Sequence, residues 1–99
     1  MAATLPIINY SATDANGNAL DGVYVAVLSG TLSTVDTDDI PGTPLATLYA
    51  DPEGTTPVAN PTSTDGLGNI SVCPSAAGYF VLQVYGPSIN GQQLFQVKV

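Results

Sequence analysis

Residues 45–69 read LATLYADPEGTTPVANPTSTDGLGN, and the punctuation of this stretch decides the fold. The run Pro44-Leu45-Ala46-Thr47-Leu48-Tyr49-Ala50 predicts a strand. Asp51-Pro52-Glu53-Gly54 follows, with Asp at the first turn position, Pro at the second and Gly at the fourth. That is the composition of a type I turn, because proline presets the φ of the second position and Gly tolerates what comes after. A second short extended piece comes next. Asn60-Pro61 then holds Asn60 out of the helical region, and Asp65-Gly66 and Gly68-Asn69 mark another turn. The stretch is strand, turn, extended linker and turn, and none of its side chains is chemically reactive.

The flanking sequence continues in the same idiom. LPIINY (residues 5–10) is a short apolar run whose Pro6 assigns it to an edge or a terminus. GVYVAVLS (residues 22–29) is the clearest strand, rich in β-branched and aromatic residues. Val23, Val25 and Val27 fall on one of its faces, Tyr24, Ala26 and Leu28 on the other. Both faces are apolar, which predicts a central strand covered on both sides. GNISVC (68–73), YFVLQVY (79–85) and QQLFQVKV (92–99) are three more runs, with Ile70 and Val72 on one face of the first. Asn90-Gly91 between the last two is a hairpin signal of the type I′ class. Asp14-Ala15-Asn16-Gly17-Asn18 is a turn, and no segment carries helical periodicity with caps. These runs predict one all-β domain over residues 1–99, with an extended N-terminal arm at 1–9. The fold class is an antiparallel sandwich of six or seven strands, immunoglobulin-like or transthyretin-like. Val23, Val25, Val27, Leu48, Ile70, Phe80, Leu82, Val84 and Val97 are the expected core. Residues 30–43 form the longest irregular segment, of a length that often carries contacts.

Composition restricts function. A 99-residue chain makes one domain that buries about two-thirds of its unfolded surface, enough for a core without metal or disulfide. Only 9% of residues are charged and the formal net charge is −7, so Ser, Thr, Asn, Gln and Gly must cover the surface. That suits a surface contacted by other subunits or displayed outside a cell. Lys98 is the lone basic residue. Nucleic acid requires cations to replace phosphate counterions, and an anionic membrane surface makes the same demand, so neither is an expected partner. No apolar run approaches the ~20 residues that span a bilayer. The N-terminus has no basic n-region, so the expectation is action from the cytoplasm or a signal already removed.

Catalysis is poorly supplied. The chain has no His, the usual general base near neutral pH, and its Ser and Thr hydroxyls have no visible activating partner. Cys73 is alone, so it is expected as a small buried hydrophobe. Asp14-x-Asn16-x-Asn18 resembles the first half of a calcium loop, but Ala19 and Val25 stand where Gly and Glu are required. Asp36, Asp38 and Asp39 are the remaining candidate carboxylates for Ca²⁺, three where six to eight oxygens are needed. The expectation is therefore no cofactor and no metal. Among the tyrosines, Tyr24 and Tyr79 are assigned to the core and Tyr85 is open. Aromatics on a sheet face also bind sugars, though Trp is absent.

Tyr49-Ala50-Asp51, Gly54-Thr55-Thr56-Pro57, Ala59-Asn60-Pro61 and Asp65-Gly66-x-Gly68-Asn69, in that order and spacing, resemble a small β-module of tailed-bacteriophage virion proteins. The module is familiar from the N-terminal parts of tail fibres and tailspikes. The resemblance extends upstream to Asp14-Ala15-Asn16-Gly17-Asn18-Ala19-Leu20 and downstream to Ala77-Gly78-Tyr79-Phe80-Val81-Leu82. It implies a non-enzymatic structural component of the virion. Members usually continue into a fibre or spike, and a chain stopping at Val99 favours a capsid decoration protein or a small tail-associated component. The implied partners are other virion proteins, with the chain itself a homo-oligomer or a symmetric array in the particle. Contacts are expected from the arm and from residues 30–43: Leu5, Ile7, Ile8, Thr31, Leu32, Ser33, Val35 and Ile40. The arm is apolar and uncharged, and would pair as an added strand. The alternative is an extracellular adhesion or carbohydrate-binding sandwich.

Overall fold

The computed structural model describes residues 4–13, 16–20, 22–86 and 91–99. Residues 1–3 of the arm, Asp14 and Ala15 of the first expected turn, and Asn90 of the expected hairpin lie outside the described residues. The strands are β1 (Ile8–Ser11), β2 (Tyr24–Ser29), β3 (Leu48–Tyr49), β4 (Pro57–Val58), β5 (Thr62–Ser63), β6 (Asn69–Pro74), β7 (Tyr79–Tyr85) and β8 (Gln92–Lys98). They form two antiparallel four-stranded sheets, ordered β1-β6-β3-β4 and β5-β2-β7-β8. Apart from β4 and β5, the order is that of an immunoglobulin-type sandwich without its first strand. β1-β6-β3 take the places of B-E-D and β2-β7-β8 those of C-F-G.

Period-two patterning builds the core. Val25 and Val27 of β2, Phe80, Leu82 and Val84 of β7, Ile8 of β1, Leu48 of β3 and Ile70 and Val72 of β6 meet between the sheets, joined by Val23, Ala12 and Ala46. Val97 of β8 is partly buried against them. All nine expected core positions therefore contribute. Burying a side chain of this size stabilises by roughly 1.5–3 kcal/mol, so this cluster is the main source of stability.

Two differences from the expected strands share one cause. The strand expected over 44–50 is split between sheets. Ser29 N–H donates to Pro44 O, and Ala46 N–H to Val27 O, which bridges Leu45 to Leu28 in the second sheet. Three residues later, Leu48 and Tyr49 pair with Pro74 and Cys73 in the first. The linker that follows supplies two further two-residue strands, β4 and β5, and the count among the described residues rises to eight. β2 dictates this arrangement, because its edge away from β7 would otherwise bury unpaired backbone. β5 pairs with Tyr24 and Val25, and residues 44–46 cover the far end. The gap between them is filled by Asn60, whose amide accepts from Val27 N–H at 3.0 Å and donates to Val27 O and Ala46 O, each at 2.8 Å. One carboxamide thus takes the place of a strand's peptide group. Thr64 closes the near end, accepting from Val23 N–H and donating to Leu20 O at 2.7 Å.

The turns predicted at Asp51 and Asp65 form as their chemistry requires. Gly54 N–H donates to Asp51 O, and the Asp51 carboxylate accepts from Thr55 N–H, Thr56 N–H and the Thr55 hydroxyl. Asp65 does the same for its turn, accepting from Leu67 N–H and Asn69 N–H. At Gly68, φ is +77° and an added Cβ would lie 2.7 Å from Ala12 O, so only glycine fits this approach of two turns.

Leu82 is 1% exposed at the centre of β7. Replacing Leu82 by Ala should destabilise the fold by about 2–5 kcal/mol in a denaturant titration. A change near zero would place this side chain outside the core.

Candidate interaction surfaces

The outer face of β2 and β7 is also apolar, and the structure shows what covers it. Ala26, Leu28 and Val81 are fully buried there, with Val35, Tyr85 and Leu94 packed around them. Val35 comes from the long irregular segment, so residues 30–43 form a flap folded flat on the second sheet. Its shape is set locally. Thr34 and Val35 N–H both donate to Thr31 O, the Thr34 hydroxyl accepts from Thr31 N–H, and Asp36 and Thr43 exchange backbone bonds at 2.8 and 2.9 Å. A Cβ at Gly42 would lie 2.2 Å from Asp36 O and 3.0 Å from Leu28, so glycine lets the flap reach the sheet.

Three glutamines on the outward rows of β7 and β8 hold the flap. Gln83 is completely buried. Its Oε1 accepts from Gly42 N–H at 2.6 Å, and its Nε2 donates to Asp39 O at 3.0 Å and to Gln92 Oε1 at 2.5 Å. Gln92 in turn donates to Thr37 O, and Gln96 accepts from Leu32 N–H at 2.9 Å. Among the described residues no buried side-chain nitrogen or oxygen lacks a partner. Sequence reasoning missed this latch. The signal was a single Gln in the apolar run YFVLQVY, which marks a polar demand on an otherwise buried face.

The expected contact residues separate into two sets. Leu32 and Ile40 stand out from the flap at 49% and 51% exposure, and Ile7 is exposed on the arm. Ser33 is exposed and Thr31 half-buried, their hydroxyls 3.0 Å apart. Ile8, by contrast, points into the core opposite Val72, and Val35 packs beneath the flap. These two serve the fold and are not free for a partner, because the pleat turns Ile8 inward and the Thr31 turn tucks Val35 under. Leu5 is half-buried, its N–H donating to Pro52 O at 2.7 Å and its side chain lying over Gly54. The arm thus docks on this chain's own Asp51 turn.

Asp36, Asp38 and Asp39 are not gathered. Among the described residues no three His, Cys, Asp or Glu side chains come together as a metal site. The Asp36 carboxylate instead accepts from Asp38 N–H, and Asp39 offers its backbone carbonyl to Gln83. Tyr24 and Tyr79, assigned to the core by their strands, are each 47% exposed. They lie at the two ends of the outward row, beyond the reach of the flap. Tyr24 stacks on Tyr85 with ring centroids 5.5 Å apart, and Lys98 Nζ lies 5.4 Å from the centre of the Tyr79 ring. Cys73 is buried. Burial, then the nearby Asp51 and Glu53 charges, push its thiol pKa up, which keeps it protonated and inert.

The outer face of the first sheet is different, because β1 and β6 leave it open. Asn9 opposes Ser71 and Ser11 opposes Asn69 across the two strands, and all four side chains are exposed. With Asp65, Tyr10 and Ile70 they line a shallow cleft of about 350 Å³. Ser11 Oγ donates to Asn69 Oδ1 at 2.5 Å. Two backbone N–H groups hold the Asp65 carboxyl below its ordinary range, so it is ionised at neutral pH. Polar side chains rim the cleft, and none of its lining residues is a cation. Comparison with protein-family models, with curated proteins and with solved structures finds no match.

Replacing Gln83 by Ala should leave Gly42 N–H and Asp39 O without partners under the flap. The expected cost is about 1–3 kcal/mol for each group left buried and unpaired. Amide exchange at Gly42 should accelerate while the β2 and β6 amides keep most of their protection. Unchanged exchange at Gly42 would show that the flap is held by other contacts.

Proposed function

We propose that this chain is a non-enzymatic structural protein of a bacteriophage virion, a capsid decoration or small tail-associated component that works through protein–protein contact. The observation that carries the contact reading is the flap. Its backbone is bonded to β7 and β8 through Gln83, Gln92 and Gln96, so Leu32 and Ile40 are displayed at fixed positions. Preorganised apolar side chains lose little entropy on binding. The polar rim of Thr31, Ser33 and Thr37 fits the anatomy of an interface. The assignment to a virion rests on the sequence resemblance centred on residues 49–69. With one cation in the chain, such a contact depends on apolar burial and backbone bonding, and salt affects it weakly.

The test is electron microscopy of purified particles labelled with an antibody against this chain. Regularly spaced label is expected on the parent particles. A Leu32→Asp, Ile40→Asp double variant should fold like the parent by circular dichroism and lose the label. Chain found only in the soluble fraction overturns the reading.

The cleft on the first sheet favours a second reading, a carbohydrate-binding adhesion module. Its volume lies within the range of small-molecule sites, and its amides, hydroxyls and one carboxylate complement neutral sugar hydroxyls. Titration with neutral mono- and disaccharides should then move the amide resonances of residues 9–11 and 69–71. Unmoved resonances across the panel remove this reading.

A further inference from the structure

The four sheet edges are not treated alike. β4 and β5 are two residues long and β1 is four. β8 has seven residues, all in register with β7 from Gln92↔Tyr85 to Lys98↔Tyr79. Among the described residues nothing bonds to the backbone of its other edge; the one additional backbone pairing nearby, Val99 with Gly78, is on the β7 side. Proteins blunt long open edges with proline, bulges, charges pointing inward or a covering loop. β8 has no proline, charge or bulge within Gln92–Val97, its only charge is Lys98 at the far end, and among the described residues no loop bonds along its edge. The side chains repeat the point. Phe95 belongs to the inward row, opposite core residue Leu82, yet it is 40% exposed. Its ring meets Tyr10 of the facing sheet at 5.3 Å, and among the described residues no other ring contacts it.

We propose that β8 pairs antiparallel with β8 of a second copy of this chain about a two-fold axis at Phe95. The sheet would then run β5-β2-β7-β8-β8-β7-β2-β5, joined along roughly 23 Å of strand at about 3.3 Å per residue. The self-complementary register suits a second copy, and local charge leaves this edge open to one. The chain carries −7 overall, which opposes self-association through most of its surface, but residues 92–99 contain no acidic residue. In the two-fold register Gln92 opposes Lys98, Gln93 opposes Val97 and Leu94 opposes Gln96, so no like charges face each other. Phe95 opposes its own copy, and the exposed side of each ring is covered by the other. This pairing uses a different surface from the flap, and the flap reading stands or falls separately with particle labelling.

The experiment measures the mass of the purified chain by light scattering over a micromolar to millimolar concentration series. A monomer–dimer equilibrium is expected, and added salt should strengthen it by screening the mutual repulsion. Phe95→Lys places like charges opposite each other at the axis and should weaken dimerisation by about tenfold or more. Gln93→Lys, at an already exposed position, should weaken it less and guards against a folding defect in the first variant. In a Cys73→Ala background, Phe95→Cys should cross-link between copies under oxidant or with a short bismaleimide, because directly opposed Cβ atoms lie about 5 Å apart. A monomer at every concentration, a dimer that Phe95→Lys leaves intact, or a Phe95→Cys chain that does not cross-link would each overturn the proposal. A monomer that still labels particles would remove this inference alone.

Discussion

A strand pair buried on both faces imposes the constraint from which most of this structure follows. β2 and β7 carry Val25, Val27, Leu82 and Val84 toward the core and Ala26, Leu28 and Val81 away from it, all fully buried or nearly so. A single sandwich covers one face of each sheet. The other face of this pair therefore needs a second cover, and the loop at residues 30–43 supplies it. A loop laid over apolar strands brings its own peptide groups out of water, and each one buried unpaired costs about 1–3 kcal/mol. Gln83 resolves the conflict. Its carboxamide, wholly buried in the outward row, bonds one N–H and one C=O of the flap and is itself supported by Gln92.

The open edge of β2 meets the same problem with the same chemistry. Backbone from residues 44–46 and 62–64 covers its ends, and the Asn60 amide serves the middle. Carboxamides suit both tasks because each offers a donor and an acceptor with peptide-like geometry and no charge to desolvate. In this way a chain with 9% charged residues gives the peptide groups of its folded-over loop and of the β2 edge hydrogen-bond partners. Charges at the surface act locally instead, as with the Asp51 and Asp65 carboxylates that each close a turn.

The surface that results is uneven. The second sheet's outer face is closed by the flap, which shows Leu32 and Ile40 to solvent, and the outward Tyr24 and Tyr79 lie past the flap's ends. The first sheet's outer face is open and polar over β1 and β6. β8 ends its sheet with a long edge to which, among the described residues, no backbone group bonds. Any partner meets three chemically different regions: apolar points on a pinned loop, a cation-free cleft rimmed by polar side chains, and the β8 edge.

Local chemistry in the sequence determined the all-β class, the strand registers toward the core and the two aspartate-closed turns. Period-two alternation acts within a few residues, and Asp, Pro, Asn and Gly set turn geometry through their own backbone preferences. The double-sided apolar pattern of residues 22–29 even required a cover on both faces. What covers the second face was decided by tertiary structure, because Gln83 meets Gly42 across 41 residues of chain, and such a pairing has no local signal. The same holds for the strand over 44–50, which reads as one run but divides between sheets where the edge of β2 needs partners. It holds also for Ile8 and Val35, drawn inside, and for Tyr24 and Tyr79, left outside. Alternation assigns a side chain to a face, but only the packing of distant segments decides whether that face is covered.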